Sequence, residues 1–198
     1  MRFVGIDPST KTGFVAIDEN GQVVRAKELT GVGGEDPKRM VTLTDEVLAH
    51  IKPNDFICIE GFSYDSTGQG VDFQYGLGHS IRNALFRRHI KPYIVAPNSV
   101  KKFVGVTGWE GEKGNKKRLT GPQKKRAVMQ AVYEHFGFEH KSDNVVDAYI
   151  LARIAQEIWV GRGCELQLLY PYQAEVIQTI LNPEPKTKPK KKKAKLLL

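Results

Sequence analysis

A chain of 198 residues, 40% hydrophobic and 26% charged, is long enough for one ordinary domain with a buried core and some extra at an end. No apolar run approaches the roughly 18 residues of a membrane span, and MRFVGID runs straight into a strand without a leader, so a cytoplasmic, reducing setting is expected, with Cys58 and Cys164 as free thiols. The net charge of +8 is unevenly spread: seven lysines against Glu184 lie between Pro183 and Leu198, and nine basic residues against Glu110 and Glu112 lie between Lys101 and Arg126, which points to a polyanion on one surface and leaves a solvated loop and solubilising tail as the plain alternative.

In chain order, Phe3-Val-Gly-Ile-Asp7 is an apolar run ending in an acid, and Pro-Ser-Thr-Lys-Thr-Gly13 turns it back into a second run, Phe14–Ile17. Glu19-Asn-Gly21 turns again into an alternating strand to Leu29. Three antiparallel strands are expected. Asp36 reads as an N-cap with Pro37 at the first helical position, and the helix from Lys38 to Ile51 would bury Val41, Thr44, Leu48 and Ile51. The dense apolar run Phe56-Ile-Cys-Ile-Glu60 is then a buried parallel strand reached by a crossover helix, again ending in an acid. A mobile loop over Ser63–Gly70 precedes a helix over Val71–His89, whose Gly76 and Gly78 permit close approach of a neighbour; a strand over Lys91–Ala96 and a short helix over Val100–Val104 follow. Gly105 to Gly121 holds five glycines and no apolar period, so an exposed, poorly ordered loop is expected. Pro122 opens a helix to Phe136 whose early Lys124, Lys125 and Arg126 oppose the helix dipole, and the last core helix runs from Ser142 to about Trp159. A strand and a small helix are expected within Glu165–Leu181, and disorder in the Lys/Pro tail. The boundaries are 1–163 for the main domain, 164–182 for an extension and 183–198 for the tail.

The acids carry the chemistry. Asp7 and Glu60 end two neighbouring strands, and Asp143 and Asp147, four apart on the last helix, project from one side of it, with Asn144 beside the same stripe. Asp143 is explained as a helix cap, and Asp7 could be a turn cap through its neighbours' amides. Asp147, in line with Ile150, Leu151 and Ile154, has no such explanation. Carboxylates gathered at one sheet end repel and are stable only around cations. Oxygen donors without a Cys/His cluster select Mg²⁺ or Mn²⁺, and two such ions are the arrangement that clamps the attacking and leaving oxygens of phosphoryl transfer. Acids beside a basic surface therefore point to metal-dependent cleavage of a phosphodiester, with no small-molecule substrate.

The motifs GIDPSTKTG, ICIEGF, IVAPNSVKKFVG and DNVVDA, in this order across Met1–Gln156, resemble those of RuvC-like Holliday-junction resolvases of the RNase H-like superfamily, among them bacteriophage enzymes. The resemblance implies an α/β, RNase H-like fold, with a mixed five-stranded sheet of three antiparallel strands and then parallel ones, flanked by helices. It further implies a homodimeric endonuclease, in a bacterial or phage-infected cell, that binds four-way DNA junctions, uses two Mg²⁺ or Mn²⁺ ions per site and leaves 5′-phosphate ends. Asp7, Glu60 and Asp147 take the ligand roles; Asp143 is preferred as the fourth ligand, with Asn144 as the alternative. Lys101 and Lys124 fall where the family has basic residues at the scissile strand, and Lys102, Lys113, Lys116, Lys117, Arg118, Lys125 and Arg126 are assigned to DNA binding. Phe62 and Tyr64 are candidates for stacking on bases at the crossover, and the helix over Val71–His89 for the dimer contact. Another RNase H-like nuclease, such as a phage debranching enzyme or a hybrid-cutting ribonuclease, would use the same acids. An actin-like ATPase shares the first hairpin but needs a second phosphate loop that is not evident.

Overall fold

The computed structural model describes residues 1–62, 70–111, 114–162 and 169–183. Five strands, β1 (Arg2–Asp7), β2 (Thr12–Ile17), β3 (Val23–Leu29), β4 (Asp55–Glu60) and β5 (Tyr93–Val95), form one sheet in the order β3-β2-β1-β4-β5. The pairs β1/β2 and β2/β3 are antiparallel, and β1/β4 and β4/β5 parallel. The mixed, centrally placed β1 is therefore as the sequence anticipates. Tyr64, Lys113, Cys164, the loop expected to be mobile, the strand expected after Glu165 and the Lys/Pro tail from 184 lie outside the described residues.

Side-chain alternation along the two central strands divides the core. Val4, Ile6, Ile57 and Ile59 point to one face, where they pack on α1 (Lys38–His50) and α2 (Val71–Arg87) through Leu43, Val47, Leu77, Ile81 and Leu85. Phe3, Phe56 and Cys58 point to the other face, against α5 (Asp143–Gly161). Asp7 and Glu60 continue that second series, so both acids face α5. Around α5 stand α3 (Pro97–Phe103), α4 (Gly121–Phe136) and α6 (Pro171–Leu181), and this surrounding explains why α5 is buried almost all round rather than along one stripe. The extension is part of this packing: Val176 and Ile177 of α6 are buried in the same cluster, and Gln173 Nε2 donates to the carbonyl of Phe103 at 3.1 Å.

Glycine sets how near α5 comes. A Cβ at Gly5 would lie 1.9 Å from the carbonyl oxygen of Ala148, and one at Gly13 would lie 1.9 Å from that of Asn144. Only bare backbone at these two positions lets the helix rest directly on β1 and β2.

Several local expectations need correction. Of the face expected on α1, Thr44, Leu48 and Ile51 are buried but Val41 is exposed, and Leu43 and Val47 take its place against the sheet; Pro37 is the N-cap in place of Asp36. The glycines of α2 are filled from within the chain: the Met40 side chain sits against Gly76 and the Phe62 ring against Gly78. The glycine-rich segment is not structureless, since β6 (Trp109–Glu110) pairs antiparallel with β7 (Lys117–Arg118). Two-residue strands are too short to leave an alternation in the sequence. Finally α4 starts at Gly121, where Thr120 and Gln123 close a capping box, satisfying helix N–H groups at the terminus. Among the described residues no helix is long and apolar enough to cross a membrane.

Candidate active site

The turn after β1 releases Asp7 for other work. Ser9 N–H donates to Thr12 Oγ1 at 3.3 Å, Lys11 N–H donates to Ser9 Oγ at 3.2 Å, and Thr12 Oγ1 donates to the Ser9 carbonyl at 2.8 Å. The hairpin is thus closed by Ser9 and Thr12, and Arg39 clamps it from α1 through the Thr10 carbonyl at 2.7 Å. Asp7 is not the turn's cap. It is only 7% exposed at the end of a central strand.

The parallel register Gly5↔Cys58, Ile6↔Ile59 carries on to set Asp7 beside Glu60. Burial, and then the Glu60 charge, hold the Asp7 carboxyl well above the usual carboxylate range. Burial and the Asp147 charge push Glu60 up to about 7. Asp147 comes down from α5 onto the same spot, and burial together with the Asp7 charge pushes it to about 7 as well. Three acids from three elements therefore meet at one sheet end, each disfavoured in its charged form.

Two lysines answer them. Lys101, in the last turn of α3, lowers the proton affinity of Asp7, Glu60 and Asp147 together. Lys125 of α4 is ion-paired to Asp143, and this bond raises its own pKa. Lys124 lies near Gly108, its Cε 3.7 Å from where a Cβ there would be. On the helix Lys124 falls between Ala131 and Val128 of the buried stripe, and Lys125 falls just beyond Val132, about 100° from Lys124. Sequence periodicity finds the stripe but not which lysine pairs with the acids.

The remaining sequence candidates divide. Asp143 stands at the rim, its side chain 31% exposed, and its charge reaches Asp7 and Asp147. Asn144 is partly buried, with its carbonyl against Gly13. Lys102 is paired to Glu175 of α6. Lys116, Lys117, Arg118 and Arg126 are exposed. Phe62 is held among Tyr75, His79 and Arg82, with ring centroids 4.8 Å from Tyr75 and from His79 and the Arg82 guanidinium 4.3 Å away. Trp109 and Tyr172, which the sequence reading passed over, stand close to this region.

As a donor set, Asp7, Glu60 and Asp147 supply oxygen only, are buried, and are short of compensating charge, which suits a hard divalent cation. In the present arrangement no group of three His, Cys, Asp or Glu among the described residues stands close enough to hold an ion.

No family profile matches the chain, and no curated protein matches it. Solved structures do. The Thermus thermophilus RuvC structure superposes with a TM-score of 0.56 at 18% identity, covering 82% of this chain and 96% of that one. T. thermophilus RuvC in complex with Holliday junction substrate gives the same TM-score, 0.56, and the same coverage at 16% identity. At such identity the likeness is one of architecture, and the chain accordingly has a RuvC-like, RNase H-like α/β fold.

Proposed function

We propose that this protein is a metal-dependent endonuclease that resolves four-way DNA junctions. The observation that carries the reading is the meeting of Asp7, Glu60 and Asp147 at one sheet end, each pushed toward its neutral form, with Lys101 and Lys125 at the edge. A fold that buries three acids together sacrifices stability, a pattern expected where charge is needed for chemistry. The RuvC-like fold, and the junction bound to one solved structure of that fold, support DNA as the polyanion.

Asp7, Glu60 and Asp147 would hold Mg²⁺ or Mn²⁺, with Asp143 at the rim as a fourth donor once released from Lys125. Bound there, such an ion supplies Lewis acidity toward a phosphoryl oxygen and a more acidic water. The chain's own contribution is electrostatic. Lys101 and Lys125 approach the acids from two helices and stabilise the negative charge that grows on the phosphoryl group in the transition state. Paired nicks at matched positions need two such sites, hence a homodimer. The outer side of α2 carries Phe86, 80% exposed, which suits the contact the sequence resemblance implies there.

The test is a synthetic four-way junction in Mg²⁺ with wild type and Asp7→Asn. Wild type should cut two strands at matched positions, and the variant should bind the junction without cutting. Equal cutting by the variant removes the acids from the chemistry. Preferential cutting of an RNA–DNA hybrid keeps the acids and replaces the substrate.

A further inference from the structure

Beside the acids opens a cavity of about 630 Å³, within the roughly 300–1,000 Å³ range of sites that hold small organic groups. Its lining includes Lys101, Lys102, Trp109, Arg118, Lys124 and Tyr172. Two aromatic rings and four cations share one wall system, and among the described residues no carboxylate lines it. Glu175 reaches it only indirectly, through its pairing with Lys102.

Folding alone does not account for Trp109. An indole is among the largest contributors to a core when buried, yet this one is 54% exposed. Its backbone is nevertheless held. Trp109 stands opposite Arg118 in the β6/β7 pair, its backbone N–H donates to Thr107 Oγ1 at 3.3 Å, the Thr107 hydroxyl donates to its carbonyl at 2.8 Å, and the Leu119 N–H donates to the Gly108 carbonyl at 3.0 Å. The Tyr172 ring lies 3.5 Å from where a Cβ at Gly105 would be, and its hydroxyl lies 3.2 Å from His135 Nε2. The two rings come from separate parts of the chain, β6 and α6, and line the same cavity as the cations.

We propose that this cavity receives an unpaired nucleotide of the DNA strand that passes the acids, its base stacked on Trp109 and its phosphates held by Arg118 and Lys124. The inference rests on the DNA reading above. Lys101 belongs to both places, since it lines the cavity and acts on all three acids, so a strand with one phosphate at the acids brings a neighbouring nucleotide to the cavity. Stacking on an aromatic face is tolerant of sequence, and a base at a branch point is cheaper to take out of its stack than one inside a duplex.

The experiment uses the full chain with Asp7→Asn to prevent cutting and Trp159→Phe to leave Trp109 as the sole tryptophan. Junction and single-stranded oligonucleotides are titrated in Mg²⁺, with indole emission and the anisotropy of labelled DNA read together. Quenching of Trp109 at saturation is expected. Trp109→Ala should weaken binding about 5- to 150-fold, the range for loss of one stacked base, and Trp109→Phe should retain most of the affinity. Junction binding with unchanged emission, or equal affinity for Trp109→Ala, overturns the cavity and leaves the junction reading standing. Quenching by the single strand with no junction binding keeps the cavity and removes the junction; no binding of either DNA removes both.

Discussion

Asp147→Asn keeps the shape of the side chain and deletes a charge that the fold resists, so it should make the metal-free protein more stable while abolishing cutting. Asp147 ionises near 7 in the fold against an ordinary value of 3.8, and each pH unit of that gap is worth about 1.4 kcal/mol. The folded state therefore holds a proton that the unfolded chain has already released. Stability from this proton is complete below the ordinary value and is lost as pH rises through 7. The full cost of ionising Asp147 approaches ~4 kcal/mol at pH 8. The three acids titrate as a coupled set, so about half, ~2 kcal/mol, is the expected gain from the substitution at pH 8, falling below ~1 kcal/mol at pH 5. For a domain of this size that corresponds to a rise in Tm of roughly 4–8 °C at pH 8. The assay is thermal unfolding in EDTA at pH 5 and 8, repeated with Mg²⁺ at pH 8, where wild type should gain and the variant should gain little. A variant no more stable than wild type at pH 8, or a difference independent of pH, refutes the argument that these acids are held against their charge.

Replacing Lys125 with Met should slow junction cutting about 100- to 1,000-fold, the range for loss of one transition-state-stabilising group, with a smaller loss of binding. Lys124→Met should instead weaken binding and reduce the salt dependence of affinity by about one phosphate's worth; equal kinetic effects of the two would remove the distinction drawn from the Lys125–Asp143 pair. Deleting 184–198, with its seven lysines against Glu184, should weaken junction binding and flatten its salt dependence while low-salt cutting survives. Unchanged affinity in a filter or anisotropy titration would make the tail a solubility feature.

What the sequence makes legible follows from periodicity. Apolar runs ending in acids are visible for β1 and β4 because both strands are buried on two faces, and the crossover between them fixes them as parallel neighbours. Alternation alone then sends Asp7 and Glu60 toward the same side. What it leaves out depends on contacts between distant parts of the chain. Val41 and Leu43 fit a helical stripe about equally well on paper, and only the sheet decides between them. Lys124 and Lys125 are adjacent in sequence and close to one stripe, so their difference appears only when α5 supplies Asp143. Phe62 follows the second acid as a base-stacking aromatic would, yet Gly78 leaves a gap that its ring fills. A capping box at Thr120-x-x-Gln123 was a readable signal for the true start of α4.

The position of Asp143 ties these parts together. From Asp147 the helix turns about 40° to reach Asp143 and about 60° the other way to reach Asn144, so one flank faces α4 and the other faces the β1–β2 hairpin. On the hairpin flank the Asn144 backbone rests on Gly13, contact so close that the separation between α5 and β2 is set by main chain rather than by side-chain packing. On the α4 flank Asp143 carries Lys125, which brings a cation to within electrostatic reach of Asp7 and Asp147. If the acids hold a divalent ion as proposed, that ion would compete with Lys125 for Asp143. The Lys125 ammonium, displaced from that carboxylate, would then be the cation left facing a phosphate, and the ion pair at the rim of the acids would serve as a store for that charge.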